Sequence, residues 1–253
     1  MGTIQLNTEE TLPEEQYGAT LVGRAWVPGA PSGPSVIWIR EDGVCDLTPR
    51  YRTMSELLEE DDPAGRIGKL EGLKSIGSLN DLLAKTAPDH RNPLKPWLLA
   101  PCDLQAVKAS GVTFVSSMLE RVIEEQARGD LTKAENIRTE ITKLIGDNLA
   151  DIRPGSDSAM RIKEVLLQQD AWSQYLEVGI GPYAEIFTKS QPMSALGTGV
   201  EIGIHPESSW NNPEPEIVLA VNSSGKIVGA SLGNDVNLRD FEGRSSLLLG
   251  KAK

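Results

Sequence analysis

Three carboxylates, Glu214, Glu216 and Asp235, are spaced so that a β-hairpin would gather them at one point. Ile217–Val221 is a continuous apolar run, as in a strand buried on both faces. Asn222-Ser-Ser-Gly225 reads as a turn, and Lys226–Leu232 as the returning strand. Residues two apart on an extended chain point to the same side, so Glu214 and Glu216 converge across Pro215. With the turn centred near Ser224, these two fall opposite Asn234 and Leu232, and Asp235 lies just past the end of the returning strand. Three such charges held close repel one another, and protons or a cation must neutralise them. An all-oxygen set of carboxylates suits a hard ion, Mg²⁺ or Mn²⁺ and in some sites Ca²⁺, rather than Zn²⁺. Glu-x-Glu is common, however, and spacing alone leaves open a solvated acidic hairpin end.

The other residue types able to do chemistry are sparse. Cys45 and Cys102 are far apart and form no CxxC pair, which argues against a disulfide scaffold or a thiolate zinc site. The two histidines, His90 and His205, lie in a proline-punctuated stretch and in Gly203-Ile-His-Pro206, and neither reads as catalytic.

The elements that must position the carboxylates follow from periodicity. Val36–Ile39 and Val44–Leu47 flank Glu41-Asp42-Gly43, a hairpin signal, and Ser55–Asp62 reads as a short acidic helix. Thr86–Pro96 carries three prolines and reads as a linker. A helical region follows, with apolar residues at helix spacing over Val115–Arg128, then helices over Thr132–Ile145 and Asp157–Leu167. Strands return from Ile186 onward. The expected organisation is a small β-rich N-terminal domain over 1–95 and a mixed α/β (α+β) catalytic domain over 96–253.

Composition bounds the function classes. The 253 residues carry a formal net charge of −11, with 39% hydrophobic and 24% charged residues, as in ordinary globular chains. That charge argues against a nucleic-acid backbone or an anionic membrane surface as partner. The acidic N-terminal stretch is not a secretory signal, and no apolar run approaches a membrane span. A cytoplasmic enzyme fits these features.

Four segments, in order, resemble the fumarylacetoacetate hydrolase family: Phe187-Thr-Lys189, Asn212-Pro-Glu-Pro-Glu-Ile-Val-Leu-Ala-Val221, Leu232-Gly-Asn-Asp-Val-Asn-Leu-Arg-Asp240 and Leu248-Leu-Gly-Lys251. The resemblance runs from about Ala100 to Lys253. In that family a Glu-x-Glu strand and the following Asn-Asp segment supply the metal ligands, which implies Mg²⁺ on Glu214, Glu216 and Asp235. The hydrolase and decarboxylase branches carry a His where this chain has Ser117. Gly111-Val-Thr-Phe114 with Glu120 on the following helix is instead similar to the branch that dehydrates 2-keto-3-deoxy sugar acids.

That resemblance implies a fumarylacetoacetate-hydrolase-like rolled mixed β-sheet and a hydro-lyase acting through a metal-stabilised enolate with loss of the C4 hydroxyl. Glu120 is the implied general base, and Lys251 the group that holds substrate or assists the departing hydroxyl. Arg239, Lys189 and Ser117 are the implied substrate-binding residues, Lys189 by neutralising the acidic site. The implied partner is a small 2-keto acid, and the implied assembly a homo-oligomer, dimer or tetramer. The alternative within the family is a hydrolase cleaving a C–C bond of a diketo acid. Family domains of this kind continue past the Gly-Lys segment, whereas this chain stops at Lys253. The expectation is therefore a domain shortened at its C-terminal end, with an inactive fragment as the further alternative.

Overall fold

The computed structural model describes residues 4–110, 131–145, 152–168, 174–182 and 186–242, with 123, 126, 127, 170 and 172. The chain divides into two compact units. The first comprises Met1–Ala106, Ser190–Pro206 and Pro213–Asp235, and the second Val107–Lys189, Glu207–Asn212 and Val236–Lys253.

The first unit is built on an antiparallel sheet of β1 (Leu21–Val27), β2 (Gly33–Arg40), β3 (Gly43–Asp46), β4 (Lys74–Gly77) and β5 (Trp97–Leu99), in the order β4-β3-β2-β1-β5. The expected hairpin is present. Arg40 pairs with Gly43, and Gly43 has φ of 140°, a conformation that glycine adopts without a Cβ penalty. Strand alternation sends neighbouring residues to opposite faces. Ile37, Ala25 and Val44 pack with Leu79, Leu82 and Leu83, while Val36 packs with Leu47, Met54, Leu57 and Ile67.

The short helix expected over Ser55–Asp62 is present but ends earlier, and a second short helix follows it. Met54–Leu58 forms α1, and Pro63–Ile67 forms α2 after Asp62 caps it through the Gly65 N–H. Pro63 suits the start of the second, since proline favours the first turn of a helix. Leu79–Leu83 forms α3, entered through a reciprocal Ser78–Asp81 capping box. Thr86, in the proline-rich stretch, is fully buried. Its hydroxyl donates to the Leu82 carbonyl at 2.8 Å and accepts from the Leu98 N–H at 3.0 Å, leading the chain back into β5.

Asp103 ties this unit together. Its carboxylate accepts from the N–H groups of Met54 and Ser55 at the start of α1, at 2.6 and 3.0 Å, and from the Ser55 hydroxyl at 2.8 Å. The buried Arg24 stands beside it at 3.5 Å and donates to the Cys102 carbonyl at 2.8 Å. Burial works to raise the Asp103 pKa, but the N–H donors of Leu104, Met54 and Ser55 outweigh it and hold the carboxyl below its ordinary range.

The second unit contains paired strands β6 (Val107–Ser110) and β7 (Ile186–Ser190), and helices α4 (Leu131–Ile145), α5 (Asp157–Gln168) and α6 (Gln174–Ile180). Its core gathers Ile123, Ala159, Leu166, Leu176 and Ile180. The two later helices expected from periodicity are thus present, while the one expected over Val115–Arg128 falls almost wholly outside the described residues. No helix among the described residues is long and apolar enough to cross a membrane.

Candidate metal centre

The hairpin that carries the carboxylates consists of β9 (Pro215–Val221) and β10 (Ile227–Asn234), preceded by the two-residue strand β8 (Asn211–Asn212). Its turn is closed by Asn222, whose side chain accepts from the N–H groups of Ser224 and Lys226. The Ser223 N–H donates to Glu59 at 3.2 Å, anchoring the turn to α1's end of the first unit.

Two features depart from the sequence expectation. First, the pairing is displaced by one residue. Ile227 pairs with Val221, but after an irregularity at Val228 the ladder runs Leu232 with Ile217, Gly233 with Glu216 and Asn234 with Pro215. A β-bulge inserts one unpaired residue and moves every later pair by one. Glu216 therefore faces Gly233 rather than Leu232, and Glu214 meets Asp235 rather than Asn234. Second, the apolar run of β9 is not buried on both faces. Ile217, Val218, Leu219 and Val221 are 73, 48, 50 and 55% exposed. Among the described residues the ribbon pairs only these two strands.

The bulge improves the convergence of the acids. The Asp235 N–H donates to the Glu214 carbonyl at 2.9 Å, which makes the two residues partners across the ribbon end. Glu214 precedes a proline, which biases it to extended conformations and keeps Glu216 on its side. Glu214, Glu216 and Asp235 each bring one carboxylate oxygen to within 4.8 Å of the others. Glu214 and Asp235 are half-buried and Glu216 is exposed. At about 4 Å, two like charges repel by about 1 kcal/mol in water and about 4 kcal/mol near a protein surface. A hard divalent cation would relieve this repulsion, and the donor set, charged and all oxygen, fits Mg²⁺. Partly exposed ligands also suit an ion that retains several waters.

The remaining candidates divide in two. Lys189 lies in β7 with its ammonium 5.1 Å from the Phe187 ring, and Arg239 opens α7 (Arg239–Glu242) with its guanidinium 5.2 Å from the centre of the Trp210 ring. The Arg239 N–H also donates to the Trp210 carbonyl at 2.9 Å, continuing the pairing of β8 with β11 (Asn237–Leu238). Ser208 and Ser209 tie down Asp240. The Ser209 N–H, the Ser208 hydroxyl and the Ser209 hydroxyl hold its carboxyl below the ordinary range. Glu120, Ser117 and Lys251 lie outside the described residues. Asn234, whose side chain accepts from the Glu214 N–H at 3.0 Å, was not singled out in the sequence. Its signal there is adjacency to Asp235.

Among curated proteins, the 2-dehydro-3-deoxy-D-arabinonate dehydratase of Saccharolobus solfataricus is 39% identical over 69 residues, 27% of this chain and 23% of that protein. The probable 2-keto-3-deoxyxylonate dehydratase of Haloferax volcanii is 38% identical over 79 residues, 31% of this chain and 27% of that protein. Over these stretches the chain is similar to 2-keto-3-deoxy sugar acid dehydratases. Solved structures carry the same message for the fold. The 2-keto-3-deoxy-D-arabinonate dehydratase complexed with magnesium and 2,5-dioxopentanoate superposes with a TM-score of 0.52 at 18% identity, covering 92% of this chain and 60% of that one. Its apo form superposes equally well. The mixed α/β, fumarylacetoacetate-hydrolase-like fold expected from the sequence is thus borne out. The chain spans about a quarter of the length of the curated relatives, 23 and 27%. No family model matches it.

Proposed function

We propose that the chain carries the cation centre of a Mg²⁺-dependent dehydratase acting on a 2-keto-3-deoxy sugar acid. The observation that supports this most is the gathering of Glu214, Glu216 and Asp235 oxygens within 4.8 Å, in a chain whose relatives are dehydratases of this class. When bound, Mg²⁺ supplies Lewis-acid polarisation of the 2-keto oxygen, which acidifies the neighbouring C3 protons.

The side chains do the rest. Glu120 takes a C3 proton as general base. Lys251 gives a proton to the C4 hydroxyl, which leaves as water as the C3–C4 double bond forms. One proton lost from C3 and one hydroxyl lost from C4 make the water released. Arg239 presents paired donors to the substrate carboxylate, with its guanidinium resting on Trp210. Lys189 offsets the negative charge of the acids, and Ser117 hydrogen-bonds the substrate in place of a water-activating histidine. The roles of Glu120, Ser117 and Lys251 rest on the sequence resemblance. A cytoplasmic homo-oligomer is the setting this reading implies.

The test is proton NMR of a 2-keto-3-deoxypentonate incubated with the chain and Mg²⁺, then with Mn²⁺ or Ca²⁺ in its place. A dehydrated keto acid that forms with Mg²⁺ and not with chelator is expected. Two shorter acids from C–C cleavage would assign the hydrolase chemistry instead, and absence of turnover contradicts the proposal.

A further inference from the structure

On the reading of Glu214, Glu216 and Asp235 as a cation centre, we propose that Asn234 is its positioning residue, fastening the Glu214 main chain so that its carboxylate meets that of Asp235. The argument starts from two prolines. Pro213 and Pro215 have no N–H, so between Asn212 and Glu216 the only main-chain donor is that of Glu214. That donor is met not by a carbonyl of the ladder but by the Asn234 side-chain oxygen, at 3.0 Å. The carbonyl of the same residue accepts from the Asp235 N–H at 2.9 Å. Glu214 is therefore held at both ends of its main chain by two consecutive residues of the opposite strand, Asn234 through its side chain and Asp235 through its backbone.

The register shows what that bond replaces. The Asp235 N–H on the Glu214 carbonyl makes these two a hydrogen-bonded pair, so Asn234 and Pro215 form the alternate kind of pair, in which the proline nitrogen owes the ladder no bond. A hydrogen-bonded pair exchanges two bonds, and here the second, from the Glu214 N–H, goes to the Asn234 side chain. Gly233 lets the strands close here. A Cβ at that position would lie 2.6 Å from Val218 Cγ2, well inside contact distance. Two neighbouring residues, a glycine that permits close approach and an asparagine that supplies the missing acceptor, thus hold the ligand strand. Hydrogen bonds that orient metal ligands are worth about 10–100-fold in affinity.

The experiment is calorimetric titration of Mg²⁺ into the chain for wild type, Asn234→Ala, Asn234→Asp and Glu214→Gln, with thermal melts recorded without Mg²⁺. Asn234→Ala is expected to weaken Mg²⁺ binding by about 10–100-fold, with an unchanged melt in the absence of the ion. Asn234→Asp keeps an acceptor oxygen and is expected to restore most of the affinity. Gly233→Ala should weaken binding as well, and adding Val218→Ala should recover it. If Glu214→Gln loses binding while Asn234→Ala matches wild type, Asn234 has no positioning role and the cation centre stands. Equal losses in Asn234→Ala and Asn234→Asp, or an early melt of Asn234→Ala without Mg²⁺, also overturn the role. If wild type takes up no Mg²⁺, or Glu214→Gln binds as well as wild type, the cation centre falls and the Asn234 role with it.

Discussion

Asp235 donates its N–H to the Glu214 carbonyl at 2.9 Å, and this one bond joins residues 21 positions apart into facing members of an acidic cluster. The irregularity at Val228 makes it possible, because without the displaced register Glu214 would face Asn234 and Asp235 would lie beyond the pair. A local defect in a ladder re-aims side chains, and here it re-aims a carboxylate. Deleting Val228 removes the unpaired residue and brings Gly229 next to Ile227, still opposite Ala220, so every later pair and the meeting of Glu214 with Asp235 should survive and Mg²⁺ affinity should be retained. The check is titration of the deletion variant, and a loss of about tenfold or more would count against the register argument.

Asp103 is expected to be the most costly acid to remove from the first unit. Asp103→Ala leaves Arg24 and three N–H groups without their anion, and breaking a buried pair in this way costs about 3–5 kcal/mol. The sign with pH follows from the lowered pKa. A carboxyl depressed in the folded state stabilises fully above its unfolded value of about 3.9, and the contribution fades as pH falls through the folded value. Denaturant melts of wild type and variant should differ fully at neutrality and down to about pH 4, and draw together only as pH falls further, through the lowered folded value. A difference that stays constant through that fall would refute the linkage.

The exposure of the β9–β10 ribbon separates core from surface in a direct comparison. Leu82 is fully buried against the sheet, whereas Leu232 is 85% exposed. Leu82→Ala is expected to cost about 2–5 kcal/mol. Leu232→Ala should stay within about 0.5 kcal/mol. Equal costs in chemical denaturation would mean that the ribbon is packed in solution.

The hairpin was legible because its signals are local: a continuous apolar run, a turn rich in Asn, Ser and Gly, and a return strand of matching length. The end at which the acids gather followed from the same count. The one-residue displacement was not read, although Gly229 beside Val228, a glycine inside a strand, is a mark of a bulge. Burial of Ile217–Val221 was misjudged because apolar content reports what a strand could bury, and only its neighbours decide what it does bury. Asn234 escaped notice for a different reason. Its importance arises from two prolines on the opposite strand, a relationship visible only once the register is known. The second short helix, Pro63–Ile67, was not read from the sequence, although Asp62 and Pro63 carry its start signal.

The chemistry of proton removal is testable separately from cation binding. Glu120→Gln keeps size and polarity but cannot accept a proton. It is expected to slow exchange of the C3 protons of a 2-keto-3-deoxy acid with deuterated solvent by about 10²–10⁴-fold, as for loss of a general base, while Mg²⁺ still binds. NMR in heavy water with wild type and variant side by side provides the comparison, and exchange at the wild-type rate would remove Glu120 from the base role.

The central claim, a divalent cation held by the ribbon's three carboxylates, is tested most directly by calorimetric titration of Mg²⁺ into wild type, Glu214→Gln, Glu216→Gln and Asp235→Asn. Each substitution removes one charged oxygen ligand while keeping the side chain's shape. Binding of one ion by wild type, weakened about tenfold or more in each variant, is the expected result. Unchanged affinity in all three variants would contradict it.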